Sequence, residues 1–531
     1  MAAAGVSAAS LGLAAGPAAA EPAESEGSKV SEGQTVFPGD PRYQTLGQGF
    51  NQRFSSTPAY IRLAGNEADA VTGLKTALDQ GRRPTIRGGG HCYEGFVDND
   101  KGVILDLSTM RGVRTATDKY GASTYCVEGG ATNWDVYTTL FRKYGVTIPA
   151  GSCYSVGAGG HICGGGYGLL SRRHGLTVDH LAQVDVVTVR GGRVEVTRAH
   201  RDDPKDSPEQ DLFWAHTGGG GGNFGVVLRY HFRHDIPEPP PRVWLSNVAW
   251  AWGDLIKEPE DFHRLVKNFG AFFAAHSGKD ETVYRGLFSI LKLTHRSNGN
   301  VVLLSQWDED DPAPLDHFLA AMEAGMKTKA TVQTFSAGGL FLPFPDKRRQ
   351  MPWFQATMTL NGSGDNQRGK YKSAYHRTTF TTRQIDSFWE WLTKPDPEGE
   401  FGQTLVQIDS YGCRINARNP TEAAIPQRDS ILKLQYQTYW TDPAKDSLHL
   451  DYLRGLYQDV YKATHGIPEI DTDTDGAYVN YPDTDLGTVG QKNPVYPRLY
   501  YKHNYTRLQK TKKTWDDKNV FHHAQSITLP S

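Results

Sequence analysis

Three glycine-rich stretches crowd into one part of the chain: RGGGH at 87–91, VGAGGHICGGGYG at 156–168 and HTGGGGGNFGVV at 216–227. Glycine lacks a Cβ, so each stretch can turn sharply or bring backbone N–H groups close to a phosphate. One such stretch reads as a turn. Three of them, set among strand-like and helix-like segments, point to one large phosphate-bearing ligand held by several loops. None spells the P-loop GxxxxGK[ST]. None opens a helix after a strand with an acidic residue about 20 positions later, so a Rossmann fingerprint is not indicated either.

The surrounding chain bounds the fold. At 531 residues it exceeds what one hydrophobic core organises, so two or more packed units are expected. Lys and Arg total 57 against 59 Asp and Glu, a balance with no electrostatic footprint for nucleic acid or an anionic membrane surface. Five scattered cysteines (Cys92, Cys126, Cys153, Cys163, Cys413) do not make a disulfide framework. The pairs His91-Cys92 and His161-x-Cys163 lack the spacing of a structural zinc site, so no metal is expected. Cys126 and Cys413 read as small buried hydrophobes. The Ala/Gly-rich start, residues 1–39, reads equally as an export-signal remnant without a basic n-region or as a disordered leader, which leaves localisation open between secreted and cytoplasmic.

From about residue 60 to 230 the pattern is α/β. Asn66 caps a helix that Gly81 stops, a second helix runs from Trp134 to Tyr144 and is closed by Gly145, and LAQVDVVTVRGGRVEV reads as a hairpin turning at Gly191-Gly192. The Pro-rich HDIPEPPPRVWL marks a boundary at 237. Beyond it, RVWLSNVAWAW, GNVVLLSQW and ILKLQYQTYW alternate as antiparallel strands, while DFHRLVKNFGAFFAAH and LDHFLAAMEAGM have helical periodicity. The run KTKKTWDDK near the C-terminus reads as a solvated helix face.

Five segments in order, RGGGHCYEGF, AGSCYSVGAGGHICGGGYG, DLFWAHTGGGGGNFGVV, AYVNYPDTDL and NYTRLQKTKKTWDDKNVFHHAQSI, resemble the FAD-linked oxidases of the berberine-bridge-enzyme type, over most of the chain from about residue 60. Within that family the sequence looks most like bacterial glycoside and hexose oxidases that tailor antibiotics. The resemblance implies an α+β, two-domain FAD-binding fold of the vanillyl-alcohol-oxidase type. Its FAD domain would comprise residues 40–236 and 476–531, and its substrate domain, residues 237–475, would be an antiparallel sheet flanked by helices. It implies a bicovalent FAD, with His91 joined to the flavin 8α carbon and Cys153 to carbon 6. Further FAD contacts are expected from Arg87, Gly88, Gly89, Gly90, Cys92 and Tyr93, from Gly157, Ala158, Gly159, Gly160 and His161, and from Gly168, Val226, Asn504 and Asn519.

Oxidising an alcohol requires a base within hydrogen-bond reach of its hydroxyl. The resemblance assigns that role to Tyr481 of AYVNYPD, with Tyr478 beside it, and places Asp409 or Tyr411 of QIDSYGC as the group that tunes the base. Tyr93 matches a substrate-facing aromatic. A phenol titrating near pH ~10 needs something that stabilises its phenolate. The activity implied is oxidation of a sugar hydroxyl on a glycosylated natural product, with O2 as acceptor and hydrogen peroxide released. Two other readings stay open: oxidation of a non-sugar alcohol or an oxidative cyclisation by the same flavin, and a binding protein that carries flavin without turnover.

Overall fold

The structure, a computed structural model, describes residues 34–333, 335–337, 340–342, 346–360 and 366–530. Its strands form three main sheets and a short pair. Strands β1 (Gln34–Val36), β2 (Tyr60–Leu63), β3 (Pro84–Arg87) and β4 (Val103–Asp106) make a sheet in the order β1-β2-β4-β3, with parallel pairing at β2–β4 and β3–β4. Parallel neighbours need a crossover, and the helix Glu67–Asp79 supplies it between β2 and β3. The Asn66 side chain accepts a hydrogen bond from the Asp69 amide at its N-cap, and Gly81, at φ +64°, turns the chain out. Because β1 pairs with β2, ordered chain is under way by Gln34, earlier than the boundary at 39 read from composition. The export-signal reading lies on residues outside the described ones.

A second, antiparallel sheet orders β5 (Val113–Thr117), β6 (Ser123–Glu128), β7 (Leu181–Arg190), β8 (Arg193–His200) and β9 (Val226–Arg233) as β5-β6-β9-β7-β8. The hairpin at Gly191-Gly192 is present, both glycines having positive φ as a tight two-residue turn requires. The helix near Trp134 is Asn133–Thr139, and its last turn widens into a π-helix, Leu140–Tyr144, before Gly145 ends it.

After the proline run the third sheet takes over, antiparallel throughout: β10 (Arg242–Ala251), β11 (Leu287–Thr294), β12 (Asn300–Trp307), β13 (Thr331–Val332), β16 (Arg349–Pro352), β17 (Arg368–His376), β18 (Leu405–Ser410) and β19 (Leu432–Trp440). Their order is β13-β10-β12-β11-β18-β19-β17, with β16 also on β10, and β14 (Phe335–Ala337) pairs separately with β15 (Leu340–Leu342). Side chains alternate across its strands. Leu287, Leu291, Leu293, Val406, Ile408, Leu432, Leu434 and Tyr436 enter a core shared with the helices Pro259–Ala275, Ala313–Met322, Thr382–Leu392 and Asp446–Val460. Their neighbours on the opposite face look toward the glycine loops. Among the described residues no helix is long and apolar enough to cross a membrane.

The C-terminal helix Tyr505–Trp515 corrects the solvated reading of KTKKTWDDK. Lys510 and Lys513 are exposed, but Lys512 and Trp515 are buried. The Lys512 ammonium is bonded to the Asp516 carboxylate at 2.7 Å and the Asn223 carbonyl at 2.8 Å, and also to the Phe521 carbonyl. It fastens the third glycine stretch to the C-terminal segment.

Candidate active site

The three glycine stretches and the open face of the third sheet enclose a cavity of about 640 Å³. Gly88 to Gly90 leave the end of β3, Gly157 to Gly160 lead into the short helix Ala158–Cys163, and Gly220 to Gly225 lead into β9. Glycine is required where the first two loops touch: a Cβ on Gly89 would sit 2.3 Å from the Gly157 nitrogen, and one on Gly157 would sit 2.2 Å from the Gly89 nitrogen. At Gly160 and Gly221 a Cβ would meet nothing within 4 Å, so these bare backbones face open space in the cavity wall.

His91 and Cys153 line this same cavity. The His91 ring stacks on Phe50 at 4.4 Å and its Nε2 shares a 2.8 Å hydrogen bond with Ser155 Oγ, which ties the His91 loop to the Cys153 loop. Burial pulls its pKa down to about 4, so the imidazole is neutral and keeps a nucleophilic nitrogen. The loop carrying Cys153 is held by Asn133, whose amide donates to the Cys153 carbonyl at 3.0 Å, and by the Gly151 amide, which donates to His161 Nε2 at 3.1 Å. His161 is also neutral, burial lowering it to about 4, and its carbonyl accepts from Asn480 of AYVNYPD at 2.9 Å.

The sheet presents a polar face. Ile290 and Lys292 of β11, Gln407 and Asp409 of β18, and Gln435, Gln437 and Tyr439 of β19 line the cavity, each two residues from the next as the pleat dictates. Lys433 begins the β19 row. Its side chain is fully buried, and its ammonium donates to Asp409 at 3.2 Å and to the Tyr481 hydroxyl at 3.0 Å while lying 4.2 Å from the Tyr481 ring centre. Tyr478 stands edge-on to Tyr481 at 5.1 Å, its hydroxyl accepting from Asn480 at 3.0 Å. Tyr93 stacks between Tyr371 at 3.6 Å and Tyr481 at 5.5 Å, and accepts from Gln435 at 3.1 Å. Burial, followed by the Asp409 charge, pushes the Tyr481 phenol well above its ordinary value, so Tyr481 rests protonated.

Of the residues expected from the sequence, Gly88, Gly89, Gly90, His91, Cys92, Tyr93, Cys153, Gly157, Gly159, Gly160, His161, Gly168, Asp409, Tyr478 and Tyr481 come together around the cavity. Six lie elsewhere. Arg87 turns away to the Leu46 carbonyl and to Asp106, 3.5 Å distant. Ala158 is packed in the core, and Val226 belongs to the core behind the second sheet while its neighbours Gly225 and Val227 line the cavity. Asn504 is taken up by the carbonyls of Pro420, Ala423 and Ala424, and Tyr500 and Tyr501 reach the cavity in its place. Asn519 occupies a left-handed turn at φ +51°, beyond which Phe521, His522, His523 and Gln525 form the wall. Tyr411 is buried with its hydroxyl donating to the Gln427 carbonyl, so of the two candidates in QIDSYGC only Asp409 faces the site.

The sequence reading missed Lys433, Lys292 and the glutamines. The signal for Lys433, Gln435 and Gln437 was the alternation LKLQYQTYW, whose Lys, Gln, Gln and Tyr fall on one face; Lys292 and Gln407 lie on the separate strands LFSILKLT and LVQIDS. FAD fits this enclosure. The glycine loops offer backbone that a pyrophosphate can approach, the volume lies in the range of about 300–1,000 Å³ usual for ligand sites, and a neutral histidine and a cysteine share the wall.

A family model for an FAD binding domain matches residues 58–198, and one described as berberine and berberine like matches residues 477–528. The chain is 37% identical over 513 residues to the aclacinomycin-N/aclacinomycin-A oxidase of Streptomyces galilaeus, covering 92% of this chain and 89% of that one. It is 36% identical over 538 residues to the hexose oxidase of Chondrus crispus, covering 93% and 94%. The solved structure of GilR with pregilvocarcin, an oxidoreductase catalysing the terminal step of gilvocarcin biosynthesis, matches with a TM-score of 0.86 at 36% identity, covering 93% of this chain and 100% of that chain.

Proposed function

Because this chain belongs to the FAD-linked oxidases of the berberine-bridge-enzyme type, we propose that it oxidises a hydroxyl of a sugar carried on a natural product. FAD would be held through both His91 and Cys153. When bound, FAD supplies the hydride acceptor and passes the electrons to O2, releasing hydrogen peroxide. The chain's own task is to bind the sugar, orient its carbinol and take the hydroxyl proton.

The observation that carries this reading is the chain of groups Tyr481, Lys433 and Asp409. Lys433 bridges the phenol at 3.0 Å and the carboxylate at 3.2 Å. A proton leaving Tyr481 can pass over Lys433 to Asp409 without changing the net charge of the three groups, which generates a phenolate beside an ammonium. The phenolate then accepts the substrate proton. Tyr478, held by Asn480, braces Tyr481 from the side. Gln407, Gln435 and Gln437 can both donate and accept, as adjacent sugar hydroxyls demand, and Tyr93 and Tyr439 offer ring surface to sugar C–H groups. No glutamate lines the cavity among the described residues, which disfavours a glutamate base of the cyclising kind.

Two measurements test the proposal. Denaturing the purified holoprotein should leave yellow colour on the polypeptide, with His91→Ala and Cys153→Ala each retaining one linkage by peptide mass and the double variant none. Free FAD in the supernatant of the wild type refutes covalent attachment. A glycoside panel should yield peroxide that Tyr481→Phe abolishes, and full activity in that variant removes the base. A second substrate reading, oxidation of a non-sugar alcohol by the same flavin, would be selected by peroxide from non-sugar alcohols but from no glycoside.

A further inference from the structure

Two residues with formally charged side chains line the cavity among the described residues, Asp409 and Lys292. They are not equivalent. Asp409 is matched: Lys433 donates to one oxygen at 3.2 Å and Gln407 to the other at 2.9 Å. Lys292 has no carboxylate within ion-pair distance among the described residues. It sits mid-strand on β11, opposite Gln407 of β18, which in turn lies opposite Gln435 of β19. The next row holds Ile290, Asp409 and Lys433. Lys292 is therefore one row, about 6.8 Å along the strand direction, from the row that holds Asp409, the carboxylate at the end of the proton path from Tyr481. Burial lowers its pKa, with Asp409 and Cys153 acting in the opposite direction.

An ammonium enclosed in a cavity and left without a counter-charge costs free energy, which an anion in the loaded site would recover. Of the four histidines that line the cavity, His91, His161 and His523 are held neutral by burial, so these three neither compete for that anion nor supply the charge. The glutamines around Lys292 can bind hydroxyls but carry no charge.

The geometry points to Lys292 as a carboxylate-recognising residue, which makes the substrate class a sugar acid or a glycoside bearing a carboxylate beside the oxidised carbinol. This rests on the sugar reading above and specifies it. The carboxylate pairs with Lys292 and hydrogen-bonds Gln407, and the carbinol falls under Tyr481.

The test is binding to the holoprotein by calorimetry, independent of turnover, using matched pairs of probes: methyl glucoside against methyl glucuronide, and cellobiose against cellobionate. Wild type should bind the acid of at least one pair roughly tenfold or more tighter, as a charge-assisted hydrogen bond implies. Lys292→Met should bind acid and neutral probe alike, and Lys292→Arg should keep the preference. If Lys292→Met does not fold, Lys292→Gln makes the same comparison. No acid preference in any pair, or a preference that survives loss of the ammonium, overturns the inference. So does a Lys292→Met variant with unchanged binding whose flavin is reoxidised more slowly by O2 whatever the substrate, since that assigns the charge to the oxygen step. Neutral glycosides that are oxidised without any acid preference would leave the sugar reading standing while this inference falls.

Discussion

Replacing Lys433 by methionine removes one ammonium from the middle of the proposed proton path while keeping most of the side-chain volume. At 3.0 Å from the Tyr481 oxygen, and with an effective dielectric of about 20, an ammonium and a phenolate attract by about 5.5 kcal/mol. Divided by about 1.4 kcal/mol per pH unit, that raises the pH at which the phenolate forms by about four units. Burial and Asp409 already push the phenol up, so losing the group that opposes them moves it further in the same direction. The rising limb of the rate profile, set by ionisation of Tyr481, must therefore move to higher pH. A positioned general base contributes about 10²–10⁴-fold, which sets the size of the expected fall in kcat/KM at neutral pH. The assay is anaerobic stopped-flow reduction of the bound flavin by substrate across the accessible pH range. Breaking a buried ion pair also costs about 3–5 kcal/mol of stability, because Asp409 is left with an unmatched charge. The double variant Lys433→Met with Asp409→Asn removes that charge, so it should regain thermal stability without regaining rate. Undiminished flavin reduction with an unmoved pH profile in Lys433→Met would refute the proton path.

Gly89→Ala should unfold the contact between the first two glycine loops, because its Cβ would lie 2.3 Å from a backbone nitrogen, and thermal melting should show the loss. Gly160→Ala meets no protein atom within 4 Å, so it should melt like the wild type yet carry less flavin per chain by absorbance. Lys370 is buried between Glu94 at 2.9 Å and Asp483 at 2.7 Å, and Lys370→Met should cost about 3–5 kcal/mol in denaturant unfolding. Although burial opposes it, Arg454, Lys372 and Lys370 hold the Asp485 carboxyl well below the usual carboxylate range. Its folded pKa being depressed, the stability it contributes is full above the unfolded value of about 3.9 and is lost as pH falls below it. Asp485→Asn should flatten that acid limb of the unfolding midpoint and lower the midpoint at neutral pH.

How much of this was legible depended on whether the signal was local. The glycine stretches, His91, Cys153 and Tyr481 each sit inside a short distinctive segment, and they meet as expected. Arg87, Val226, Asn519 and Tyr411 lie away from the cavity because along a strand or turn the neighbour one or two positions away is the one that faces it, and Asn504 because it sits in a helical turn whose residues three and four positions earlier, Tyr501 and Tyr500, reach the wall. Lys433 lies on a strand whose alternation was readable and Lys292 on one that was not singled out, and both strands are apolar on one face and polar on the other. Only the third dimension says that the polar face meets a cavity rather than solvent. Lys512 was misread for a related reason: a basic run is solvated unless a neighbouring segment supplies carbonyls, and here Asn223 and Phe521 do.

The acidic residues inside two of the motifs acquire a physical reason from the same geometry. Glu94 follows Tyr93 and Asp483 stands two beyond Tyr481. Lys370 bonds both carboxylates, and Lys372, two residues along the same strand, bonds Asp483 at 2.7 Å and Asp485 at 2.7 Å. Between these lysines Tyr371 points to the opposite face of β17 and stacks on Tyr93 at 3.6 Å. One strand thus grips both motifs by ion pairs on one face and seats the Tyr93 ring on the other, which sets Tyr93 and Tyr481 5.5 Å apart. Buried charges of this kind are costly to assemble and poor as sources of net stability. What they supply here is registration: two loops distant in sequence are fixed to a common strand, so the aromatic wall and Tyr481 share one rigid support instead of each moving with its own loop.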